Sequence, residues 1–472
     1  MSDTTYDVVV IGAGPGGYVA AIRASQLGLK VAVVERQYWG GVCLNVGCIP
    51  TKALLHTADL LEEARDGKRF GVVTQDVSLD FGAAMANKDR VVKASTQGVS
   101  FLMKKNKIDT INGSARIAGR NSVQVTGNDG KQINLTAKNI IIATGAKARD
   151  IPQIGATFDE DRILSSTGAL NLKEVPKSLL VIGAGAIGCE FASMFRSFGS
   201  EVTIVEMQSR IVPVEDEEVS AELARAFTKR GIKLLTSAKL TKVERTDTQV
   251  TATVIDADGK EQKLTAERML VGIGWQATNN KGIGLEEVGV ATDERGFIKV
   301  DSMMRTNVEG IYAIGDCTVK TPWLAHKASA EALVAAEHIA GHNPPPIDYN
   351  KIPGCTYTNP EIGSVGLTEA KARELGYDVK VGKFPFSANG KARILDAKFG
   401  FVKVVSDKQY DEVLGIHIIG PHATELIAEG GVALSHEATS ESLMRTIHAH
   451  PTLYEALGEA EHAAAEGQPI HL

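Results

Sequence analysis

Residues 6–17, YDVVVIGAGPGG, run a β-branched strand into a turn carrying Gly12, Gly14 and Gly17. A helical stretch from Tyr18 leads to Gly28, and the strand KVAVVE then ends on Glu35. The layout recurs. Residues 178–188, SLLVIGAGAIG, hold Gly183, Gly185 and Gly188; a helix from about Cys189 reaches Gly199, and EVTIVE ends on Glu206. Gly28 and Gly199 sit where a helix C-terminal glycine is expected. Phe191, Met194, Phe195 and Phe198 fall at helical spacing and make one apolar stripe. Each copy reads as strand, glycine turn, helix, strand, half of a doubly wound nucleotide-binding fold. One glycine pattern alone is weak; two, with matched strands and acidic residues, argue against a turn that merely joins strand to helix.

The chemistry follows from the spacing. The first glycine permits the tight turn, the second lets backbone approach a pyrophosphate, and the third lets helix and strand pack closely. Free N–H groups and the dipole at the helix start favour the phosphates. Glu35 and Glu206 are placed to accept hydrogen bonds from ribose hydroxyls. A carboxylate at Glu206 repels the extra 2′-phosphate of NADP, so the second site is expected to take NAD. Arg210 stands nearby as a lone loop cation. Two sites need two ligands, and FAD at the first with NAD at the second is the natural assignment. The strand EGIYAIGD supports FAD, because a carboxylate at its tip, Asp316, can hold a ribityl hydroxyl; the plain alternative is a turn residue.

Other apolar strands end at Gly145 (NIIIATG) and Gly274 (RMLVGIG), and a helix is expected from about Ala325 to Ala340. HNPPPID is a stiff linker. Strand-like runs then precede helix-like ones, the mark of a separate α+β domain. The expected architecture is α/β: two Rossmann-like dinucleotide-binding domains plus a C-terminal α+β dimerisation domain. The limits are 1–148 for the first part of the FAD domain, 149–272 for the NAD domain, 273–347 for a central domain completing the FAD site, and 348–472 for the interface domain.

At 472 residues and a net charge of -6, the chain shows no basic excess that would suggest nucleic acid or a membrane surface as partner. No apolar run reaches the roughly 18–20 residues of a membrane span. No basic stretch, apolar core and cleavage site open the sequence, so a cytoplasmic enzyme without a secretory leader is expected. Five scattered cysteines do not make a secreted disulfide framework, and no metal site is expected.

Two of those cysteines, Cys43 and Cys48, lie in GGVCLNVGCIPTK. On a regular helix, residues five apart are about 140° out of register. A disulfide therefore requires a distorted turn, for which Gly47 and Pro50 are suited; the alternative is two unpaired thiols. His450 and Glu455 lie in HAHPTLYEA. Thr452 and Glu455 there also read as a capping box at a helix start, and Glu455 can serve both as cap and as partner of a histidine. His448 is expected to be exposed or structural.

GGVCLNVGCIPTK, with VVVIGAGPGGYVAAIRASQLG before it and VIGAGAIGCE, TNVEGIYAIGD, LAHKA and HAHPTLYEA after it, resembles the dihydrolipoyl dehydrogenases, within the class I pyridine nucleotide-disulfide oxidoreductases. The resemblance covers essentially the whole chain. It implies that Cys43 exchanges with substrate and that Cys48 lies beside the flavin. It implies an ion pair of Lys52 with Glu190 near flavin N5, and a helix start at Ala325 facing the flavin N1–C2=O edge, with His326 structural. It also implies that His450 is the base for dihydrolipoamide, oriented by Glu455, acting on the disulfide of the other subunit of a homodimer. Electrons would pass from dihydrolipoamide through Cys43–Cys48 and FAD to NAD. Lipoyl domains and the acyltransferase subunit of 2-oxo-acid dehydrogenase complexes are the implied partners. Glutathione- and mercury-type reductases are the alternative; the former use NADP, and the latter usually carry a C-terminal cysteine pair, whereas no cysteine follows Cys355. The sequence departs from the family pattern at GIGWQATNNKG, where relatives usually have an arginine and a proline, and at KARDIP.

Overall fold

The computed structural model describes residues 4–277 and 280–472. The chain divides into two units. The first is built from the stretches up to Ala53, Ala83–Arg149 and Gly274–Tyr349. The second is built from Leu54–Gly82, Asp150–Ile273 and Asn350–Leu472.

The first unit is organised around the strand Thr4–Ile11, which pairs in parallel with Val31–Glu35 on one side and Gln132–Ile142 on the other. Asp109–Gly119 and Ile311–Ala313 extend the parallel sheet at its two ends. Ser122–Gly127 pairs antiparallel with both Asp109–Gly119 and Gln132–Ile142. Successive side chains of the first strand face opposite ways. Val8 and Val10 pack with Ala20, Ala24, Ala332 and Ala335, whereas Val9 and Ile11 pack with Ile117, Val123 and Val125. Burial on both faces explains why the run VVVI is apolar throughout rather than alternating. The helices Pro15–Gln26 and Ala325–Ile339 approach closely because small residues line their contact; a Cβ on Gly16 would stand 3.3 Å from that of Ala328.

The second unit repeats the parallel design. Its sheet runs in the order Lys233–Leu235, Glu201–Val205, Ser178–Ile182, Arg268–Val271, Ile163–Leu164. The helix Ala186–Phe198 buries the expected phenylalanine stripe, with the Phe191 and Phe195 rings stacked 6.3 Å apart. The C-terminal part is an antiparallel five-stranded sheet, with Glu361–Gly366, Val413–Gly420 and Phe401–Asp407 at its centre. The helices Ala423–Ser435 and Glu455–Glu466 contribute Leu426, Ile427, Leu457 and Ala460 to its core.

Local details differ from the sequence expectation. Both helices after the glycine turns begin earlier than Tyr18 and Cys189, at Pro15 and Ala186. Glycine is unfavourable inside a helix but tolerated in its first turn, where close packing demands it. The strand before Gly145 stops at Ile142, and Gly145 turns the chain at φ +65°. Asp316 is not at a strand tip: the strand ends at Ala313, Gly315 takes φ +76°, and Asp316 falls in the 3₁₀ turn Gly315–Cys317. The edge strand Val379–Pro385 was not foreseen. Its Gly382 interrupts the apolar pattern because a Cβ there would stand 1.9 Å from the Ala460 carbonyl of the covering helix.

One buried cation ties elements of the second unit together. The Lys403 ammonium lies 3.0 Å from Asp216, 2.7 Å from Glu218 and 2.8 Å from Glu369. Burial opposes ionisation at Asp216 and Glu218, yet Lys403 and neighbouring cations hold both below the usual carboxylate range. Glu369 is lowered by Lys403 and Arg373. Burial likewise disfavours the Lys403 ammonium, but its carboxylate partners raise it overall. Lowered carboxylates add stability above their unfolded pKa and lose it as pH falls through the folded value; a raised lysine loses its share only in strong alkali. Lys403→Met should therefore destabilise the chain by about 3–5 kcal/mol near pH 7. With the cation gone the carboxylates repel one another, so the deficit should shrink on acidification, as denaturant midpoints at about pH 7 and about pH 5 would show.

Candidate active site

The two glycine loops have the same construction. Gly12 and Gly183 take φ +104° and +95°, and a Cβ on either would stand 2.3 or 2.5 Å from the carbonyl oxygen of Ala143 or Gly272. A Cβ on Gly17 or Gly188 would come within 1.9 or 2.0 Å of the oxygen of Gly12 or Gly183. The middle glycines behave differently. A Cβ on Gly185 would meet nothing within 4 Å, and one on Gly14 only the Gly41 Cα at 3.8 Å. The outer glycines are thus closed by protein backbone, while the middle one opens onto the space a diphosphate would need. Gly14 and Gly185 are also the N-caps of their helices, and neither helix start is capped by a side chain. Its first N–H groups are therefore left for an anion.

Each acidic residue bonds the loop backbone, a contact that sequence reading missed. Glu35 accepts from the backbone N–H of Ala13 at 2.7 Å, Gln37 at 2.8 Å and Tyr38 at 3.0 Å. Glu206 accepts from Ala184 and Gln208, both at 2.7 Å. In both copies the carboxylate clamps the residue between the first two glycines. The signal was available: 22 residues separate Ala13 from Glu35 and Ala184 from Glu206. A carboxylate has lone pairs to spare for ribose hydroxyls. Arg210 is already engaged by Glu217 at 2.8 Å and by the Pro213 carbonyl.

The thiol segment lies against the first loop. Gly40 donates its N–H to Ala13 at 2.9 Å, and a Cβ on Gly41 would stand 2.5 Å from the Gly14 Cα. The short helix Gly41–Val46 breaks at Gly47, and the helix Cys48–Asp66 starts at once. That break brings Cys43 and Cys48 within hydrogen-bonding reach as thiols, although a regular helix would set them apart. The bond to Cys48 and burial push the Cys43 thiol well up, while Lys52 pulls it down. Lys52 follows Cys48 by one helical turn. Glu190 belongs to the second unit, buried in the helix Ala186–Phe198, where it accepts from the Tyr357 N–H at 3.1 Å.

Around Asp316 the first unit is pinned by a buried pair that the sequence reading did not single out. Glu331 accepts from the Gly315 N–H at 2.7 Å, from Lys327 at 3.2 Å and from the Tyr349 hydroxyl at 2.8 Å. Its only clue was the i, i+4 spacing of Lys327 and Glu331. Burial raises the Asp316 carboxyl, Lys327 opposes this and Glu331 adds to it. The helix that starts at Ala325 has no side-chain cap. The two departures from the family pattern meet: Trp275–Gln276 pairs antiparallel with Lys147–Ala148, and Arg149 donates to the carbonyl of Gly274 at 3.1 Å. Asn280 accepts from Thr144 and donates to Gly296 and Cys317, tying the turn before Gly145 to the turn of Asp316. Thr278 and Asn279 lie outside the described residues.

His450 and Glu455 come together in the second unit, Nδ1 to Oε1 at 2.8 Å, with the imidazole side chain 77% exposed. Glu455 also accepts from the Thr452 N–H at 2.8 Å. Only half of the expected capping box forms. The Thr452 hydroxyl donates to the Ala449 carbonyl, and the N-cap is Tyr454 without a side-chain bond. Burial opposes the Glu455 charge, but Thr452 and His450 lower its carboxyl overall. Among the described residues no group of three or more His, Cys, Asp or Glu is placed to hold a metal ion, and no helix is long and apolar enough to cross a membrane.

The chain is similar to known proteins over nearly its whole length. Residues 6–332 match the pyridine nucleotide-disulphide oxidoreductase family, and residues 352–461 match the dimerisation domain of that family. The dihydrolipoyl dehydrogenase of Rhizobium etli is 50% identical over 97% of this chain and 97% of that protein. That of Bacillus subtilis is 46% identical over 99% of each. Among solved structures, LpdA from Mycobacterium tuberculosis superposes with a TM-score of 0.89 at 28% identity, over 97% of this chain and 99% of that one.

The packing at Gly188 makes a direct forecast. Gly188→Ala forces the second loop open, so binding of a dinucleotide there should weaken by about tenfold or more, roughly 1.4 kcal/mol. Equilibrium titration of the variant against the parent chain measures it.

Proposed function

Because the chain belongs to the pyridine nucleotide-disulphide oxidoreductase family, we propose that it is a dihydrolipoyl dehydrogenase, oxidising dihydrolipoamide to lipoamide and reducing NAD to NADH. The observation that carries this reading is the contact of the Cys43–Cys48 segment with the first glycine loop. It puts a dithiol beside a dinucleotide site. Residues 1–148 with 273–347 are assigned to FAD, 149–272 to NAD and 348–472 to dimerisation. The open space at Gly14 and Gly185 fits both dinucleotides. In addition to the two glycine loops, Glu35, Gly145, Asp316 and Ala325 are assigned to FAD, and Glu206 and Gly274 to NAD.

The proposed steps use groups of this chain. Glu455 holds Nδ1 of His450, leaving Nε2 to take a proton from a thiol of dihydrolipoamide. The thiolate attacks Cys43 of the oxidised pair; the Cys43–Cys48 bond breaks, and Cys48 departs as thiolate. The second substrate thiol then attacks the first sulfur, the bond to Cys43 breaks and lipoamide leaves; its proton passes to the departing Cys43, while the proton taken first leaves His450 for water. The bond to Cys48 and the burial that raise the Cys43 thiol favour that final protonation, and Lys52 supplies positive charge to the pair. FAD, when bound, supplies the two-electron relay from the thiols to NAD. The dimerisation-domain match supports a homodimer. Relatives named dihydrolipoyl dehydrogenase support membership of 2-oxo-acid dehydrogenase complexes. Lipoyl domains and the acyltransferase subunit are the proposed partners, in the cytoplasm.

Cys48→Ser should abolish NAD reduction by dihydrolipoamide while leaving bound FAD in place; undiminished turnover refutes the scheme. The engagement of Glu206 and Arg210 predicts that NAD outperforms NADP by at least about tenfold, or 1.4 kcal/mol. Glutathione should not be a substrate. Glu455→Ala removes both bonds, and two readouts separate their roles. Loss of its bond to the Thr452 N–H should cost roughly 1 kcal/mol in melting. Loss of its hold on His450 should lower turnover by about a hundredfold.

A further inference from the structure

A second histidine–glutamate pair stands two residues from the first. His448 Nε2 lies 2.7 Å from Glu429 Oε1, with side chains only 13% and 22% exposed. Between the helix Ser440–Met444 and the buried Leu453, the chain from Arg445 to Pro451 is otherwise open to water. From Arg445 to Pro451, His448 alone is not exposed, and Ile447 is 97% exposed. His448 touches two helices. Glu429 comes from Ala423–Ser435, and Gly458 comes from Glu455–Glu466. A Cβ on Gly458 would stand 3.2 Å from Nδ1 and 3.5 Å from Cε1 of the ring. The missing side chain at 458 is what makes room for the imidazole.

We propose that His448 and Glu429 are positioning residues that hold the 445–454 loop so that His450 meets Glu455 and the substrate thiol in one geometry. The proposal rests on the reading of His450 as the base. It uses the burial difference between the two pairs. An exposed imidazole on a water-washed loop samples many positions, and catalysis tolerates little misplacement. The half-buried pair supplies a fixed point ahead of His450, the buried Leu453 supplies one behind it, and the exposed imidazole of His450 supplies the reactive nitrogen. The pKa of His448 is raised, first by the bond to Glu429, with the Glu429 charge, the Thr446 backbone and Glu455 adding to it and burial opposing. His448⁺ and Glu429⁻ therefore form an ion pair over more of the neutral range than an ordinary histidine would. On the far side, Glu429 adds to the raised carboxyl of the buried Glu461, near Asp411 and Lys380, so the pair is the polar edge of a closed region.

The test uses the intact flavin-loaded dimer. Glu429→Ala should lower kcat for dihydrolipoamide oxidation about tenfold with KM little changed. It should also displace the ionisation limb of the pH–rate profile. Reduction of ferricyanide by NADH, which needs no proton transfer at His450, should be unaffected. Glu429→Gln, whose amide oxygen can still accept from the ring, should recover most of the rate. Gly458→Ala presses on the ring from the other side and should reproduce the kcat loss; it decides the matter if Glu429→Ala does not fold. An unchanged kcat and pH profile in Glu429→Ala overturns the proposal. So does equal loss of both activities with a lowered melting temperature, the mark of a merely structural pair. Failure of the parent enzyme to oxidise dihydrolipoamide would instead refute the underlying assignment, and is seen before any variant is made.

Discussion

The chemistry of the first unit depends on one close approach, that of the Gly40–Gly41 backbone to the loop of Gly12–Gly17. Gly40 bonds Ala13, and Gly41 leaves no room for a side chain beside Gly14. The thiol segment is thereby fixed to the glycine loop. Further along, its helix breaks at Gly47. That break turns two cysteines of poor helical register into neighbours. A side chain at 41 would push the thiol segment off the glycine loop without altering either motif.

The repeated loops show how one design serves two ligands. In each, the outer glycines are consumed by packing and the middle one is left open. In each, a carboxylate 22 residues on bonds the loop backbone. This makes the acidic residue part of the framework of its own loop. Preorganised N–H groups need not be gathered when a diphosphate arrives, so less of the binding energy is spent on ordering the loop.

The C-terminal part contributes a different kind of precision. The helix Glu455–Glu466 lies on its sheet because Gly382 admits the Ala460 carbonyl. Its first residue, Glu455, then reaches both Thr452 and His450. The glutamate that the sequence allowed to be either cap or partner is both, because its two oxygens go to different donors. The hydroxyl that would have completed a cap is drawn to Ala449 instead. His448, by contrast, was legible only as a bystander. Its partner Glu429 lies on another helix, and the glycine that accommodates it is ten residues on.

By itself the sequence determined what repeats or is periodic: two strand–glycine–helix copies, their buried apolar runs, the acidic strand tips, the phenylalanine stripe and the thiol-bearing motif. These are local rules, set by the pleat of a strand, the pitch of a helix and the φ angles open only to glycine. Tertiary structure decided the rest: that Cys43 and Cys48 come within bonding reach, that Asp316 sits in a turn and not at a strand tip, that Lys327 and Glu331 form a buried pair, and that the departures at Lys147–Arg149 and Trp275–Gln276 are one paired ribbon. Each depends on groups remote in the chain and on how far burial removes them from water. The energy of a charge or thiol is set by that surrounding, which no neighbouring letter encodes.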